Sequence, residues 1–194
     1  MKLLQIDSQK NIINRKRQAG MTLTEALLVL SVGALVAVLA YGGYKVATND
    51  VKVQSQVEGT IQLVGKIKQI YSTAANYGAV SAQSLNDARV IPSNFKVSGT
   101  GATTAIANAW GGAITPAPGA VNTSFTLTIA SIPQEGCIEF LNGISSAAVS
   151  LSMGGATNIV KPAGGAFDNA AAATRCAAVV PATAATSEAI LTGQ

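Results

Sequence analysis

The chain has 194 residues, of which 48% are apolar, 5% are aromatic and only 11% are charged, against about a quarter charged in a typical soluble protein. It contains no histidine and two cysteines, which excludes histidine-based catalysis, histidine metal ligands and four-cysteine zinc or iron–sulfur sites. We therefore expect no conventional enzyme, no cofactor and no metal site.

The formal net charge of +4 comes entirely from the start of the chain. Residues 1–20 carry five basic side chains against one acidic side chain, and the remaining residues carry eight of each sign. A nucleic-acid-binding surface needs clustered cations that replace the counterions of the phosphates. No such cluster follows residue 20, so direct nucleic-acid binding is not expected.

An uncharged apolar stretch, residues 26–44, follows this basic segment. Its 19 residues would span about 28 Å as a helix, close to the thickness of the bilayer hydrocarbon core. The basic triplet Arg15–Arg17 precedes it, so the positive-inside rule places residues 1–20 in the cytoplasm and the C-terminal part outside. The sequence therefore predicts a single membrane span.

Two simpler explanations of this stretch remain open. A secretory signal peptide would end at a small-x-small site such as 38–40, with cleavage after Ala40 and release of a soluble adhesin or enzyme. An ordinary membrane anchor would account for the length of the stretch. Neither explains Glu25 at the start of the apolar helix, where a carboxylate is costly and usually marks a function.

The order of basic leader, Gly20, Met21-Thr22-Leu23-Thr24-Glu25 and apolar helix resembles the signal of type IV prepilins. In that family a membrane-embedded peptidase cuts after the glycine and methylates the new N-terminal amine. The resemblance implies cleavage between Gly20 and Met21, N-methylation of Met21 and a role in assembly for Glu25. A glycine fits this position because a missing Cβ lets the peptidase approach an extended backbone closely.

The role expected of Glu25 follows from the high cost of burying an unpaired carboxylate. Cleavage would create a cationic partner, the amine of Met21. In a helical filament, Glu25 of an incoming subunit would meet the Met21 amine of the preceding subunit and set their axial register. The alternative is an ordinary acidic residue that interacts with the helix dipole.

Beyond the leader, the pattern predicts one long helix over about 22–75, ended near Asn76-Tyr77-Gly78. Gly42-Gly43 is the expected place for a bend or local melting. The second half of the helix is amphipathic, and polar residues such as Gln56 are expected to stay in water. Its predicted apolar face consists of Val53, Val57, Ile61, Val64, Ile67 and Tyr71.

The rest of the chain has shorter signals. Helices are predicted at 84–90, 134–141 and 168–178, and strands at 124–130 and 149–153. The strand at 124–130 has the clearest alternation of polar and apolar residues. The Gly-, Ala- and Pro-rich segment 98–119 contains Trp110, which is expected to pack in the core or in a loop.

Cys137 and Cys176 both lie in the part that would be exported, where an oxidising compartment favours a disulfide between them. Closing that loop would contribute about 3–4 kcal/mol by chain entropy. Two buried free thiols are the alternative. A C-terminal segment bounded by a disulfide is also a point of resemblance to type IV pilins.

The 20-residue leader, Met at the first mature position and a mature chain of 174 residues are most similar to type IVb major pilins of conjugative plasmids and enteric bacteria. This resemblance implies an α+β fold, with a long N-terminal helix packed on an antiparallel sheet and a C-terminal disulfide-bounded region. It also implies a leader at 1–20, a membrane or filament-core segment at 21–47 and an exported domain at 48–194.

The expected function is that of a structural subunit of a type IVb pilus, which serves adhesion, aggregation or conjugation-type cell contact. The expected partners are further copies of the chain, the prepilin peptidase, the inner-membrane assembly machinery, the membrane before assembly and a host or recipient cell surface. The precursor is expected in the inner membrane and the filament outside a Gram-negative cell. A minor pseudopilin of a type II secretion-like system is the alternative, although the isolated Asp168-Asn169 offers few oxygens for the calcium that such proteins often bind.

Overall fold

The computed structural model describes residues 22–72, 76–121, 123–179 and 188–194. The chain divides into two compact units, Met1–Gly43 and Tyr44–Gln194. The first helix, α1 (Leu23–Tyr71), contributes residues to both units. Gly42 and Gly43 are both helical, so the local melting predicted there is not found.

The second unit contains the rest of α1, three further helices and a seven-stranded antiparallel sheet among its described residues. The helices are α2 (Ala82–Asp87), α3 (Cys137–Ser145) and α4 (Asn169–Ala177). The strands are β1 (Lys96–Ser98), β2 (Ala105–Ala107), β3 (Ala113–Pro118), β4 (Phe125–Ile129), β5 (Ser150–Met153), β6 (Ile159–Lys161) and β7 (Ala189–Gly193). This confirms the predicted α+β class with a long N-terminal helix and an antiparallel sheet.

The last strand of the chain lies inside the sheet, whose order is β1-β2-β3-β4-β7-β5-β6. On one side β7 pairs with β4, where Leu191 lies opposite Leu127. On the other side it pairs with β5, where Leu191 lies opposite Leu151. The two parts of the described sheet, β1–β4 and β5–β6, are therefore joined by β7.

The core is one cluster that α1 and the sheet both supply. From β4, alternate side chains point inward and are fully buried, as the predicted alternation requires. From α1, the buried side chains recur at intervals of three and four, which is one helical face. That face is rotated from the predicted one, since Ile61 is 38% exposed and Gln56 is only 1% exposed.

The expectation that Gln56 stays in water is wrong, because a protein partner replaces the water. Its Nε2 donates to the carbonyl of Asn94 at 3.2 Å, and Asn94 Nδ2 donates to the carbonyl and hydroxyl of Ser55, both at 2.9 Å. One turn further along α1, Gly59 has no Cβ and lets the ring of Phe95 come close. The connection between α2 and β1 is thereby held against α1.

Several predicted boundaries shift because a cap or a proline decides them. Ser81 caps α2 in a capping box with Ser84, so this helix begins at Ala82 and overlaps the predicted 84–90 only as far as Asp87. The helix predicted at 134–141 is a single 3₁₀ turn, Gln134–Gly136, followed by α3. The segment 98–119 contains β2 and β3, neither of which the sequence analysis predicts. β3 contains Pro116 and Pro118, and proline is uncommon inside a sheet.

Two glycines let α3 approach α1 closely. A Cβ on Gly136 would overlap the side chain of Val53, and a Cβ on Gly143 would lie 2.7 and 2.8 Å from the two methyl groups of Val57. At the other end of α3, Lys161 Nζ donates to the carbonyl of Ser145 at 2.5 Å. The position of α3 on α1 is thus set by the small residues at this contact.

We expect Gly143→Ala to lower the free energy of unfolding by about 1–3 kcal/mol, the range for overpacking a core. The reason is that Val57 is β-branched and has few alternative rotamers with which to avoid the new methyl. Thermal unfolding of the full chain in detergent measures the change, and Val57→Ala in the same chain should restore most of it. Gly65→Ala is the control, since a Cβ there meets no atom within 4 Å. Equal melting temperatures for Gly143→Ala and wild type would contradict the close packing.

Candidate functional site

Gly20 and Met21, the residues predicted for cleavage and methylation, lie outside the described residues. Thr22 follows them and precedes the first turn of α1, and its Oγ1 accepts a hydrogen bond from the backbone N–H of Glu25 at 3.3 Å. This is an N-cap, in the Thr-x-x-Glu spacing of a capping box. The sequence analysis gave Thr22 no role, although that spacing is the signal that would have found it.

Glu25 lies in the first turn of α1, and its side chain is exposed. The backbone N–H groups of this turn carry partial positive charge, which favours an acidic residue here. Among the described residues, no basic group lies within 4.0 Å of the Glu25 carboxylate. Because Thr22 supplies the cap, the carboxylate is not needed for it and is open to a cation from outside the described part of the chain.

The part of α1 in the first unit has an almost continuous apolar surface. An 18-residue window has a mean hydropathy of 2.3, and none of it is buried. Ser31, the only polar residue between positions 26 and 40, donates its hydroxyl to the carbonyl of Leu28 at 2.8 Å. By length and composition this segment is suited to cross a membrane. The exposed apolar side chains include those of Leu23, Leu27, Leu28, Val29, Leu30, Val32, Leu35, Val36, Val38 and Leu39.

Cys137 and Cys176 form the predicted disulfide, with Cα atoms 5.7 Å apart. Cys137 is the first residue of α3, Cys176 lies near the end of α4, and both side chains are buried. The start of α4 is fixed by Asp168, whose carboxylate accepts hydrogen bonds from the backbone of Ala170 and Ala171. The disulfide thus ties α4 to α3, which in turn packs on α1.

Trp110 is half-buried and packs edge-on against Phe140 of α3, with ring centroids 5.5 Å apart. Its loop is held by Asn108, whose Oδ1 accepts from the backbone N–H of Trp110 and Gly112 and whose Nδ2 donates to Ala130. Trp110 therefore packs in the structure as the sequence predicts. In the described part of the chain, no three His, Cys, Asp or Glu side chains come together in a way that would hold a metal ion.

Two family models match the chain. The model described as "Prokaryotic N-terminal methylation motif" matches residues 15–41, which contain Gly20, Met21 and Glu25. The model described as "PilS N terminal" matches residues 48–189, most of the second unit. Together the two matches cover both parts of the chain that the sequence analysis singles out.

Curated relatives and a solved structure agree with these matches. The chain is similar to the major structural subunit of bundle-forming pilus from Escherichia coli O127:H6 (strain E2348/69 / EPEC) and from Escherichia coli O111:H-, in each case 28% identical over 180 residues and 90% of both chains. A type IV b pilin from Salmonella typhi matches with a TM-score of 0.52 at 19% identity, over 74% of this chain and 97% of that one. The structural match confirms the pilin-like fold.

We expect the double variant Cys137→Ser/Cys176→Ser to unfold at lower urea concentration, with a loss of about 3–4 kcal/mol in unfolding free energy for a separation of 39 residues. The physical reason is that the disulfide restricts the unfolded chain. The wild-type chain unfolded in the presence of a reductant is the control and should behave like the double variant. Both cysteines should also resist alkylation in the folded chain, and alkylation without reductant would refute the disulfide.

Proposed function

The chain belongs to the PilS family, and from this we propose that it is a structural subunit of a type IVb pilus. The observation that carries the proposal is the methylation motif at 15–41, which lies on an exposed, uncharged helix segment in a chain with a type IVb pilin fold. The role is structural and not enzymatic. The subunit acts by joining further copies of itself in an extracellular filament.

Processing removes the leader, residues 1–20, from the precursor. The prepilin peptidase cuts the Gly20–Met21 bond and methylates the amine of Met21. Glycine at this position gives the peptidase access to the backbone, and α1 begins only at Leu23, so the scissile bond precedes the helix. The basic leader stays in the cytoplasm, which orients residues 48–194 outward across the inner membrane.

Residues 21–47 first hold the precursor in the membrane and then form the filament core. In the membrane, lipid chains cover the exposed Leu and Val side chains of this segment. Lipid is about as apolar as these side chains, so leaving it for a filament gains little from the hydrophobic effect. Close packing of helices and specific polar pairs must therefore drive the transfer from lipid into the filament. A charged residue in this segment can form such a pair.

Glu25 is the residue that supplies such a pair. Its carboxylate meets the Met21 amine of the neighbouring subunit, so that each new subunit is placed at one axial position. The exposed carboxylate and the cap supplied by Thr22 support this role, because α1 starts without using Glu25. The two charges neutralise each other where neither could remain alone in an apolar core.

The other proposed partners are those needed for processing, assembly and the function of the filament. They are the prepilin peptidase, the assembly machinery of the inner membrane, the membrane itself and, for the finished filament, a host or recipient cell surface. The filament lies outside a Gram-negative cell and serves adhesion, aggregation or conjugation-type contact. Sheared filaments whose main component by mass spectrometry is this chain would support the proposal, and their absence from a strain that exports the chain would overturn it.

Gly20→Val should leave a full-length precursor in the membrane, because a β-branched side chain prevents the close backbone approach that cleavage needs. Gel mobility of the membrane fraction and N-terminal mass spectrometry measure this. Ala19→Val is the control and should still be cut. A wild-type chain that begins with Tyr41 would show signal-peptide cleavage after Ala40 instead, and a normally processed Gly20→Val would place the cut elsewhere.

Glu25→Val should be cut after Gly20 but should fail to assemble. The substitution leaves the neighbouring Met21 amine buried without its partner, at a cost of about 3–5 kcal/mol for each added subunit. Mature subunits should then collect in the membrane while sheared filaments disappear. Asp50→Val, an exposed acidic residue on the same helix, is the control. Normal filament numbers from Glu25→Val would show that Glu25 has no role in pairing.

A further inference from the structure

A groove lies beside the second half of α1, between that helix and the segment that follows α2. Its first wall consists of Gln62, Gly65, Lys66 and Gln69, whose spacing of three and four residues places them on one face of α1. Its second wall is Arg89–Pro92. The volume of about 460 Å³ is in the range of small-ligand sites and is too small to hold a folded partner.

Each wall of the groove contributes one cation. Lys66 and Arg89 are exposed, and neither has an acidic group within 4.0 Å among the described residues. None of the described lining residues is acidic. Glu58 lies one helical turn before Gln62 on the same face of α1, so a negative charge follows at that end. The groove therefore favours a compact anion near its two cations and disfavours a long polyanion that would continue past Glu58.

The uncharged lining residues suit a polar ligand that also has an apolar face. Gln62 and Gln69 are exposed, and each side-chain amide offers both hydrogen-bond donors and an acceptor. The side chains of 90–92 are apolar and half-buried. A sugar ring matches both kinds of surface, because it carries hydroxyl groups at its edge and C–H groups on its faces. A carboxylate on such a ring would accept two parallel hydrogen bonds from the guanidinium of Arg89.

Gly65 is an independent indication that the groove has an occupant. Glycine inside a helix lowers the stability of that helix relative to alanine. The other glycine in this part of α1, Gly59, is explained by the fold, because the ring of Phe95 takes the space of its missing Cβ. A Cβ on Gly65 would meet no atom within 4 Å, so the packing of the chain does not require a glycine there. Its effect is to keep this wall open for a ligand that comes close to the helix backbone.

We propose that this groove binds an acidic saccharide, that is, a sugar ring that carries a carboxylate. The carboxylate lies between Lys66 and Arg89, and the ring covers Gly65 and the apolar wall. Hydroxyl groups of the sugar bond to the amides of Gln62 and Gln69. The inference rests on the proposed pilus function for its setting, since it names the chemistry by which a filament recognises a cell surface. Sialic acids of a host cell and uronic acids of a bacterial surface are two sources of this chemistry.

A titration of the full chain in detergent, followed by NMR at the backbone amide of Gly65, tests the site. The probes are N-acetylneuraminic acid and glucuronic acid, with glucose as the neutral sugar and acetate as the carboxylate without a ring. At least one of the two acids should bind about tenfold or more tightly than both glucose and acetate, because only the acids use the cations and the ring surface together. Acids that bind no more tightly than glucose or acetate would overturn the proposal. The tighter of the two acids identifies the source.

Lys66→Gln and Arg89→Asn should each raise the dissociation constant of that acid about tenfold, because each removes a hydrogen bond to a charged group. Asparagine is chosen because it accepts the left-handed backbone of Arg89, whose φ is +55°. Lys52→Gln is the charge-matched control, since Lys52 is exposed on the same helix and does not line the groove. It should bind the acid like wild type. Equal affinities for all three variants would place the binding elsewhere and overturn the site.

Gly65→Ala separates binding from folding. The melting temperature should equal or exceed that of wild type, because alanine favours the helix and the methyl group meets no atom of the chain. The dissociation constant of the acid should rise about tenfold, since the methyl group takes the place of the ring, and unchanged binding would overturn the role of Gly65. Sheared filaments should bind the acid as subunits do, and filaments that do not bind it would overturn the cell-surface contact. A chain that binds the acid but forms no filaments would instead overturn the proposed function and leave the site intact.

Discussion

The second unit depends on one narrow face of α1. Five side chains at intervals of three and four are at most 1% exposed, namely those of Val53, Gln56, Thr60, Leu63 and Ile67. Two of them are polar: Gln56 Nε2 donates to the carbonyl of Asn94, and the Thr60 hydroxyl donates to the carbonyl of Gln56 at 2.7 Å. α3 contacts the helix at Val53 and Val57, and the connection between α2 and β1 contacts it at Gln56 and Gly59.

The sheet places a second constraint on the unit, because its closing strand comes last in the sequence. β7 joins β1–β4 to β5–β6 in the described sheet, so pairing is complete only when residues 189–193 are in place. Such long-range pairing forms slowly, since the loop entropy is lost before the contacts are gained. The disulfide between α3 and α4 restricts the conformations of the unfolded chain in the same half of the sequence.

The sequence predicts the elements that depend on neighbouring residues, but it does not predict those that depend on pairing between distant strands. β4 is predictable because its buried and less buried residues alternate. The prepilin-like segment is predictable because its sequence signals are adjacent. β3 is not predictable in this way, because it contains Pro116 and Pro118. Its pairing explains why these prolines are tolerated: the carbonyl of Ala113 accepts from the N–H of Ala130, so the backbone groups of every second residue face β4. The backbone nitrogens of both prolines face the opposite edge, beyond the end of β2, where no N–H is needed. A groove beside α1 is lined by residues that only the tertiary fold brings together, namely Gln62, Gly65, Lys66, Gln69 and Arg89–Pro92.

The net charge of the chain bears on the proposed assembly. Residues 21–194 hold eight basic and eight acidic side chains, so the proposed removal of the leader leaves a subunit with no net charge. Many copies then pack side by side without long-range repulsion, but also without any net attraction or preferred partner. Specificity must come from where the charges lie, and only charges left unpaired by the fold can supply it. Among the described residues Glu25 is such a charge, and under the proposed function it is neutralised by the Met21 amine of a second copy of the same chain.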